Sequence, residues 1–266
     1  MKKFSYIFIL FYFILIPLSD GFAQRTKSSG SSGEQRYAEK GLKDNRYFFY
    51  FINTTITNFG TDEEKKIFKE AVQRDFIAQL LYMKFRFHDS FTEIKKSQIL
   101  LIDLYRKIII KETAAGKELL NSFAPETLKT NDFKSRTYLK YGYRDQTEAS
   151  IFMIMADNFR EKLYSMRLYM YVRAIKIAKH GKRYAFLSAL ESRRTPVEKK
   201  KNLSLKYDDL MKNISEISPE KKDIYSLVHL DNYYKTKEPK SLFDKIWESP
   251  DLSDIPEYKE YLKMED

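Results

Sequence analysis

Apolar residues recur every three or four positions along most of the chain, as they do on the buried face of an amphipathic helix. The pattern predicts helices over residues 34–58, 62–87 and 90–120, with short connections that favour antiparallel packing. The pattern predicts a loop with at most a short helix over residues 125–145. It predicts one helix about 50 Å long over residues 146–180. We therefore predict an all-α fold, an elongated bundle of long antiparallel helices with shorter C-terminal helices.

Residues at the ends of these segments match the signals that start and stop helices. Thr61 and Glu64 have the spacing of a capping box at the start of the second helix, and Ser90 begins the same pattern for the third. Gly60 is predicted to end the first helix as a C′ glycine. Asp145 is predicted to start the long helix that follows the loop.

The first 23 residues have the layout of an export signal. Lys2 and Lys3 precede an uninterrupted apolar run over residues 4–16, and residues 21–23 form a small-x-small cleavage site. This run of about 13 residues is shorter than the roughly 20 that span a bilayer. We predict a cleaved signal peptide over residues 1–23 rather than an uncleaved anchor, and hence a periplasmic product that no longer spans the membrane.

The rest of the chain divides at two polar segments. Residues 24–35 are rich in Ser and Gly and predict a flexible linker, after which residues 36–192 form the main helical body. A basic run around Pro196 predicts a second linker over residues 193–203. Residues 204–266 carry short helices punctuated by prolines, and we predict that they pack on the body or on a partner.

Composition constrains how the folded chain is stabilised and which kinds of partner it can bind. There is no cysteine, so an exported product must rely on a buried apolar core rather than on disulfides. The formal net charge is +11. In an exported protein this charge suggests lipid headgroups, cell-wall polymers or acidic protein assemblies as partners, and not nucleic acid. A basic, solvated surface with no specific partner is the alternative.

The usual signatures of catalysis are missing from the sequence. His88, His180 and His229 are scattered and belong to no metal-binding motif, and there is neither a glycine-rich phosphate loop nor a nucleophile motif. We therefore predict a protein that is not an enzyme and has no catalytic residue, metal or cofactor. A carboxylate pair for glycan cleavage needs no motif, but Asp103 and Glu112 are more simply helix-surface charges.

Aromatic residues are abundant, at 15% of the chain with 20 tyrosines. Tyrosine buries a large ring while its hydroxyl stays in water, and it is enriched in protein interfaces. Residues 164–173 turn through nearly three helical turns, so their aromatic and basic side chains cannot all face one core. A thick aromatic core with tyrosine at its rim is the alternative. The interface candidates are Tyr138, Tyr141, Tyr143, Tyr164, Arg167, Tyr169, Tyr171, Arg173, Tyr233, Tyr234 and Trp247.

Three helical stretches also carry a family resemblance. They are FTEIKKSQILLIDLYRKII at residues 91–109, EASIFMIMADNFREKLYSMRLYMYVRAIKIAKHGKRYAF at 148–186 and DNYYKTKEPKSLFDKIWESP at 231–250. Together they resemble the flagellar coiling proteins of Leptospira-type spirochaetes, which belong to the sheath of the periplasmic flagellum. The resemblance implies an all-helical structural protein that contacts the flagellar core and other sheath proteins and supports filament coiling and motility. The alternative is a periplasmic helical protein that binds lipid or an anionic cell-wall polymer.

Overall fold

A computed structural model describes residues 29–193, 204–217 and 236–263. All regular structure in these ranges is helical, which confirms the predicted all-α class. The predicted signal peptide, residues 24–28 of the first predicted linker, residues 194–203 of the second, and Tyr233 and Tyr234 lie outside the described residues. The helices are α1 (Ser29–Phe59), α2 (Asp62–Met83), α3 (Phe87–Lys129), α4 (Phe133–Asp157), α5 (Tyr164–Arg193), α6 (Tyr207–Ile217), α7 (Leu242–Glu248) and α8 (Pro256–Lys263).

Helix α3 is the central element of the fold. It has 43 residues, which corresponds to about 64 Å at 1.5 Å per residue. Its first half packs against α1 and α2, and α4 and α5 pack along its side. Two buried apolar clusters lie along α3, one around Phe48, Leu101 and Tyr105 and the other around Phe123 and Phe186. The bundle is therefore elongated along the direction of α3.

Helix starts follow the sequence signals only in part. The capping box at Thr61 is confirmed, because its backbone amide donates to Glu64 Oε2 at 2.9 Å and its hydroxyl accepts from Glu64 N at 3.2 Å. Ser90 does not start α3, since it lies in its first turns and donates to the carbonyl of Ala78 in α2 at 2.8 Å. Helix α1 ends at Phe59, directly before Gly60 as predicted, but Gly60 does not adopt the left-handed conformation that is usual for a C′ glycine. A Cβ on Gly60 would lie 2.6 Å from the carbonyl oxygen of Ile56.

The first helix also begins earlier than predicted. Helix α1 starts at Ser29, so residues 29–35 of the predicted flexible linker are helical. The strong helix formers that follow, such as Glu34 and Gln35, allow the helix to propagate into the Ser and Gly stretch, because propagation costs far less than nucleation.

The predicted loop over residues 125–145 is wrong. Pro125 lies inside α3, and the chain turns only at residues 130–132. Asp132 then caps α4 by accepting from Ser135 N at 2.8 Å. Asp145, which the sequence placed at a helix start, lies buried inside α4 and pairs with His180 Nδ1 at 2.8 Å.

The predicted single helix over residues 146–180 is also wrong. The chain reverses at residues 158–163, the α4–α5 turn, and α4 and α5 form an antiparallel hairpin. The Asn158 side chain donates to the carbonyl of Ile154 at 2.9 Å, and Arg167 Nε donates to that of Ala156 at 3.0 Å. These bonds satisfy carbonyl groups that the end of a helix leaves without partners.

Between the two apolar clusters lies a group of polar and small residues that we call the polar seam. Gly116, Gly142 and Gly181 bring α3, α4 and α5 into close approach around the buried Gln146, whose amide donates to the carbonyl of Ala178 at 2.8 Å. The polar seam is completed by an ion pair between the buried side chains of Lys182 and Glu112.

The short helix α6 packs against α5, whereas α7 packs along α1 and α2. Phe243 of α7 stacks on Trp247 and contacts Phe49, and Trp247 meets Phe76 edge to face. Beyond α7, the chain returns along α2, where Ile255 and its neighbours bury the apolar side of that helix. No helix in the described ranges combines the length and apolar character needed to cross a bilayer.

Candidate functional site

A groove of about 300 Å³ lies where the α4–α5 hairpin ends beside α1 and α3. Helices α1 and α3 continue past the α4–α5 turn, so their exposed faces and the turn enclose an open space. We call this space the groove. It is lined by α1 at residues 37–44, by α3 at residues 91–98 and by residues 162–166.

Two apolar walls face each other across the groove. Tyr37 and Phe91 form one wall, with stacked rings whose centroids are 5.9 Å apart, and Tyr37 is 62% exposed. Leu163, Tyr164 and Met166 form the other wall, with Leu163 42% and Met166 49% exposed. Apolar side chains on a monomer surface in such a concave arrangement are typical of a ligand or protein contact.

Three lysines surround these walls. Lys40 pairs with Asp44, Nζ to Oδ2, at 2.8 Å. Lys95 Nζ lies 4.2 Å from the centroid of the Phe91 ring, in a cation–π contact. Within the described residues, no carboxylate pairs with Lys95 or Lys162. The groove therefore has an apolar interior and a basic edge.

A chain of buried polar side chains holds the floor of the groove. Gln98 Nε2 donates to Asn45 Oδ1 at 2.8 Å and to Ser165 Oγ at 3.0 Å. Asn45 in turn donates to Asp75 Oδ1 at 2.8 Å. Burial raises the pKa of the Asp75 carboxyl to about 6, although the hydrogen bonds from Asn45 and Gln79 oppose this shift. The chain connects α1, α2, α3 and α5, and it fixes their spacing at the groove.

The apolar surface continues from the groove to the end of the bundle. Phe87 lies one helical turn before Phe91 on α3, and its ring meets that of Phe85 with centroids 6.1 Å apart. Phe85 is 80% exposed and has a positive φ of 60°. This conformation is unfavourable for a bulky residue, and such residues often mark functional surfaces.

The structure separates the aromatic and basic residues predicted on α5. Tyr164 lines the groove. Tyr169 is partly exposed beside it, stacks on Tyr47 and donates to Asp44 Oδ1 at 2.9 Å. Tyr171 is wholly buried and donates to Asp157, so its proposed place in an interface is wrong. Its ring belongs to the apolar core, and the nearby carboxylate satisfies its hydroxyl.

The two predicted arginines hold the hairpin. Arg167 bonds to the end of α4 as described above and is only partly exposed. The guanidinium of Arg173 lies over the Phe152 ring at 4.1 Å from its centroid. The Trp247 ring packs against Phe76 of α2 and stacks on Phe243 of α7, so it contributes to the packing of α7 on the bundle.

The tyrosines predicted on α4 form a separate surface cluster. Tyr138 stacks on Tyr184 with centroids 5.8 Å apart, and Tyr141 contacts the same ring at 5.4 Å. Tyr143 is exposed and donates to Asn121 Oδ1 at 2.7 Å. The cluster flanks the polar seam on α4 and α5, whereas Tyr164 lies at the far end of the hairpin, so the structure does not bring the predicted residues into one site.

Comparison with known proteins decides the family. A family model described as surface protein adhesin OmpL37 matches residues 32–260, which is most of the chain. The chain belongs to this adhesin family. Searches of curated proteins and of solved structures give no match.

Membership of the adhesin family corrects the functional prediction. A surface adhesin conflicts with a structural role in the flagellar sheath, so the predicted roles in filament coiling and motility are wrong. The alternative of a periplasmic binding protein for lipid or cell-wall polymer gains no support either. The resembling stretches are rich in aromatic and basic residues and contain no short diagnostic motif, a composition that unrelated helical proteins share. The adhesin description agrees with export but not with a location at the periplasmic flagellum.

Most residues of the groove were missed from the sequence. Tyr37 on α1, the pair Phe91 and Lys95 on α3, and Lys162 in the α4–α5 turn are far apart in the chain, and they meet only because the hairpin ends at this turn. Their one sequence signal is an aromatic residue four positions before a lysine, as in Phe91 and Lys95, and this pattern is common on exposed helices.

Proposed function

We propose that the protein is a non-enzymatic adhesin displayed at the cell surface, and that the groove is its ligand-binding site. The observation that carries this proposal is the pair of exposed apolar walls edged by lysines. Aromatic residues and methionine are enriched where proteins meet, and binding energy concentrates in a few such side chains. A surface adhesin family is the class of protein that needs a solvent-facing binding site of this kind.

The positions of the carboxylates considered for glycan cleavage support a non-enzymatic role. Asp103 is exposed and pairs with Lys107 at 3.1 Å, whereas Glu112 is buried in the ion pair with Lys182. Nine residues separate the two on one helix, which places their backbones about 13 Å apart. Paired glycosidase carboxyl groups lie about 5–9.5 Å apart and face a common cleft.

Two measurements test the proposal. Protease treatment of intact cells should remove the protein if it is displayed at the surface. Beads coated with the purified protein should be retained on a cultured epithelial cell layer, and Met166→Glu should reduce retention because it places a charge on an apolar wall.

Ile110→Glu is the matched control, since Ile110 is also an exposed apolar side chain but lies on α3 outside the groove. Equal loss with Ile110→Glu and Met166→Glu would argue against the groove as the site. Complete protection from protease on intact cells, with digestion after lysis, would contradict surface display.

A further inference from the structure

Two cations beside the apolar walls remain without a negative partner in the described chain. Lys95 and Lys162 have no carboxylate partner there, in contrast to Lys40, which Asp44 neutralises. Lys95 extends from α3 beside the Tyr37–Phe91 wall, and Lys162 precedes the wall that begins at Leu163. A ligand that fills the groove would therefore meet positive charge at both walls, and complementary charge would be negative.

We propose that the groove binds an acidic peptide segment of the adhesin's ligand. One large apolar side chain of that segment lies between the two walls, and carboxylates on either side of it pair with Lys95 and Lys162. This inference rests on the proposed function, since it names the class of ligand for the same groove.

The size of the groove favours a single side chain with its flanking backbone. Its volume of about 300 Å³ is at the lower end of the roughly 300–1,000 Å³ found for ligand sites. The aromatic wall of Tyr37 and Phe91 offers ring faces and edges, which suit an aromatic or branched apolar side chain. An anionic polysaccharide would satisfy the lysines but has no comparable apolar group for the walls, so a peptide fits both features better.

The groove is also held in shape before any ligand binds. Gln98 connects α3 to Ser165 on α5 and to Asn45 on α1. Leu163 is fixed in the α4–α5 turn, because its amide donates to the carbonyl of Arg160 at 3.0 Å and its own carbonyl accepts from Arg167 N at 3.1 Å. A preformed site loses less conformational entropy on binding, which improves affinity for a short segment.

The first test uses the full-length mature protein and fluorescently labelled peptides in anisotropy titrations. The probe peptide has one Phe flanked on each side by two Glu. A second peptide replaces the Phe by Ser, and a third replaces every Glu by Gln. We expect the probe to bind and each altered peptide to bind at least about tenfold more weakly, because each lacks one of the two complementary features.

The same titrations on protein variants locate the site. Lys95→Glu and Lys162→Glu should each weaken binding of the probe about tenfold or more, since a like charge replaces an attractive one. Lys117→Glu is the matched control, because Lys117 is an exposed lysine of α3 remote from the groove. It should leave binding within about twofold, and all three variants should melt at the wild-type temperature.

Several outcomes overturn the inference. One is no binding of the probe up to about 1 mM. A second is binding of the Ser peptide as tight as that of the probe. A third is a loss of probe affinity with Lys117→Glu as large as the loss with Lys95→Glu or Lys162→Glu. Either of these two results would indicate unspecific attraction to a basic surface. Heparin binding that exceeds peptide binding and depends on the same two lysines would favour an anionic polysaccharide instead.

Bead retention on the cell layer separates this inference from the proposed function. If wild-type beads are retained but neither the probe peptide nor Lys162→Glu reduces retention, adhesion stands and the acidic peptide is overturned. If the probe binds in solution through the two lysines while wild-type beads are not retained, the groove chemistry is supported and the adhesin function fails.

Discussion

Replacement of Gly181 by alanine tests the close approach of helices at the polar seam. A Cβ at this position would lie 2.6 Å from Gln146 Nε2, 3.1 Å from the carbonyl oxygen of Gly142 and 3.2 Å from Asp145 Cβ. The last two atoms cannot rotate away, so α4 and α5 must separate. Overpacking of this kind costs about 1–3 kcal/mol, whereas alanine recovers up to about 1 kcal/mol in helix propensity. We expect the free energy of unfolding to fall by about 1–2 kcal/mol.

Thermal unfolding followed by circular dichroism measures this effect. A change of 1 kcal/mol shifts the Tm of a domain of this size by about 2–4 °C, so Gly181→Ala should lower the Tm by about 2–8 °C. Gly33→Ala is the control, because no atom lies within 4 Å of the Cβ it would add to α1, and its Tm should stay constant or rise. A Gly181→Ala protein that melts at or above the wild-type temperature would refute the described packing of α4 on α5.

Three further predictions concern buried and paired charges. Asp75 has a pKa of about 6 in the folded protein and about 3.9 in the unfolded chain. The protonated carboxyl therefore stabilises the fold below about pH 3.9, and this stabilisation is lost as the pH rises from about 3.9 to about 6. Asp75→Asn should flatten that part of a plot of Tm against pH. The hydrogen bond from Lys96 lowers the pKa of Glu257 to about 2, so this carboxylate stabilises the fold above its unfolded pKa of about 4.3 and less as the pH falls toward 2. Glu257→Gln should therefore cost about 1 kcal/mol at neutral pH in urea unfolding, and less under acid conditions. Lys182→Met removes the buried cation beside Glu112 and should cost about 3–5 kcal/mol in the same assay, most of which a second change, Glu112→Leu, should restore.

Local signals predicted much of the helical structure. The capping box at Thr61 was predictable because its two hydrogen bonds join residues three apart in the chain. The α4–α5 turn was not, since residues 146–180 contain neither glycine nor proline and keep helical spacing throughout. What favours the turn is the burial of Ala156, Leu168 and Tyr171 in the same core as α1 and α3, and such distant contacts leave no local signal.

The candidate site was less predictable for a related reason. Sequence reasoning placed an interface on residues 164–173 from their aromatic and basic content, but that content serves several purposes. Tyr164 lines the groove, Tyr171 fills the core and Arg167 bonds to the end of α4. Helical periodicity shows that some of these side chains must be exposed, yet the direction of the core decides which, and that depends on the position of α1.

The polar seam also sets the axial register of the bundle. Apolar faces of long helices can slide past one another by a turn, about 5.4 Å, and still bury similar area. Here such a slide would move Lys182 away from Glu112 and would bring Gln146 against side chains instead of the glycines that accommodate it. Only one alignment of α3, α4 and α5 satisfies both groups. Because the groove lies at the end of the α4–α5 hairpin, that alignment also determines how far the hairpin reaches along α1, and hence where its two walls face each other.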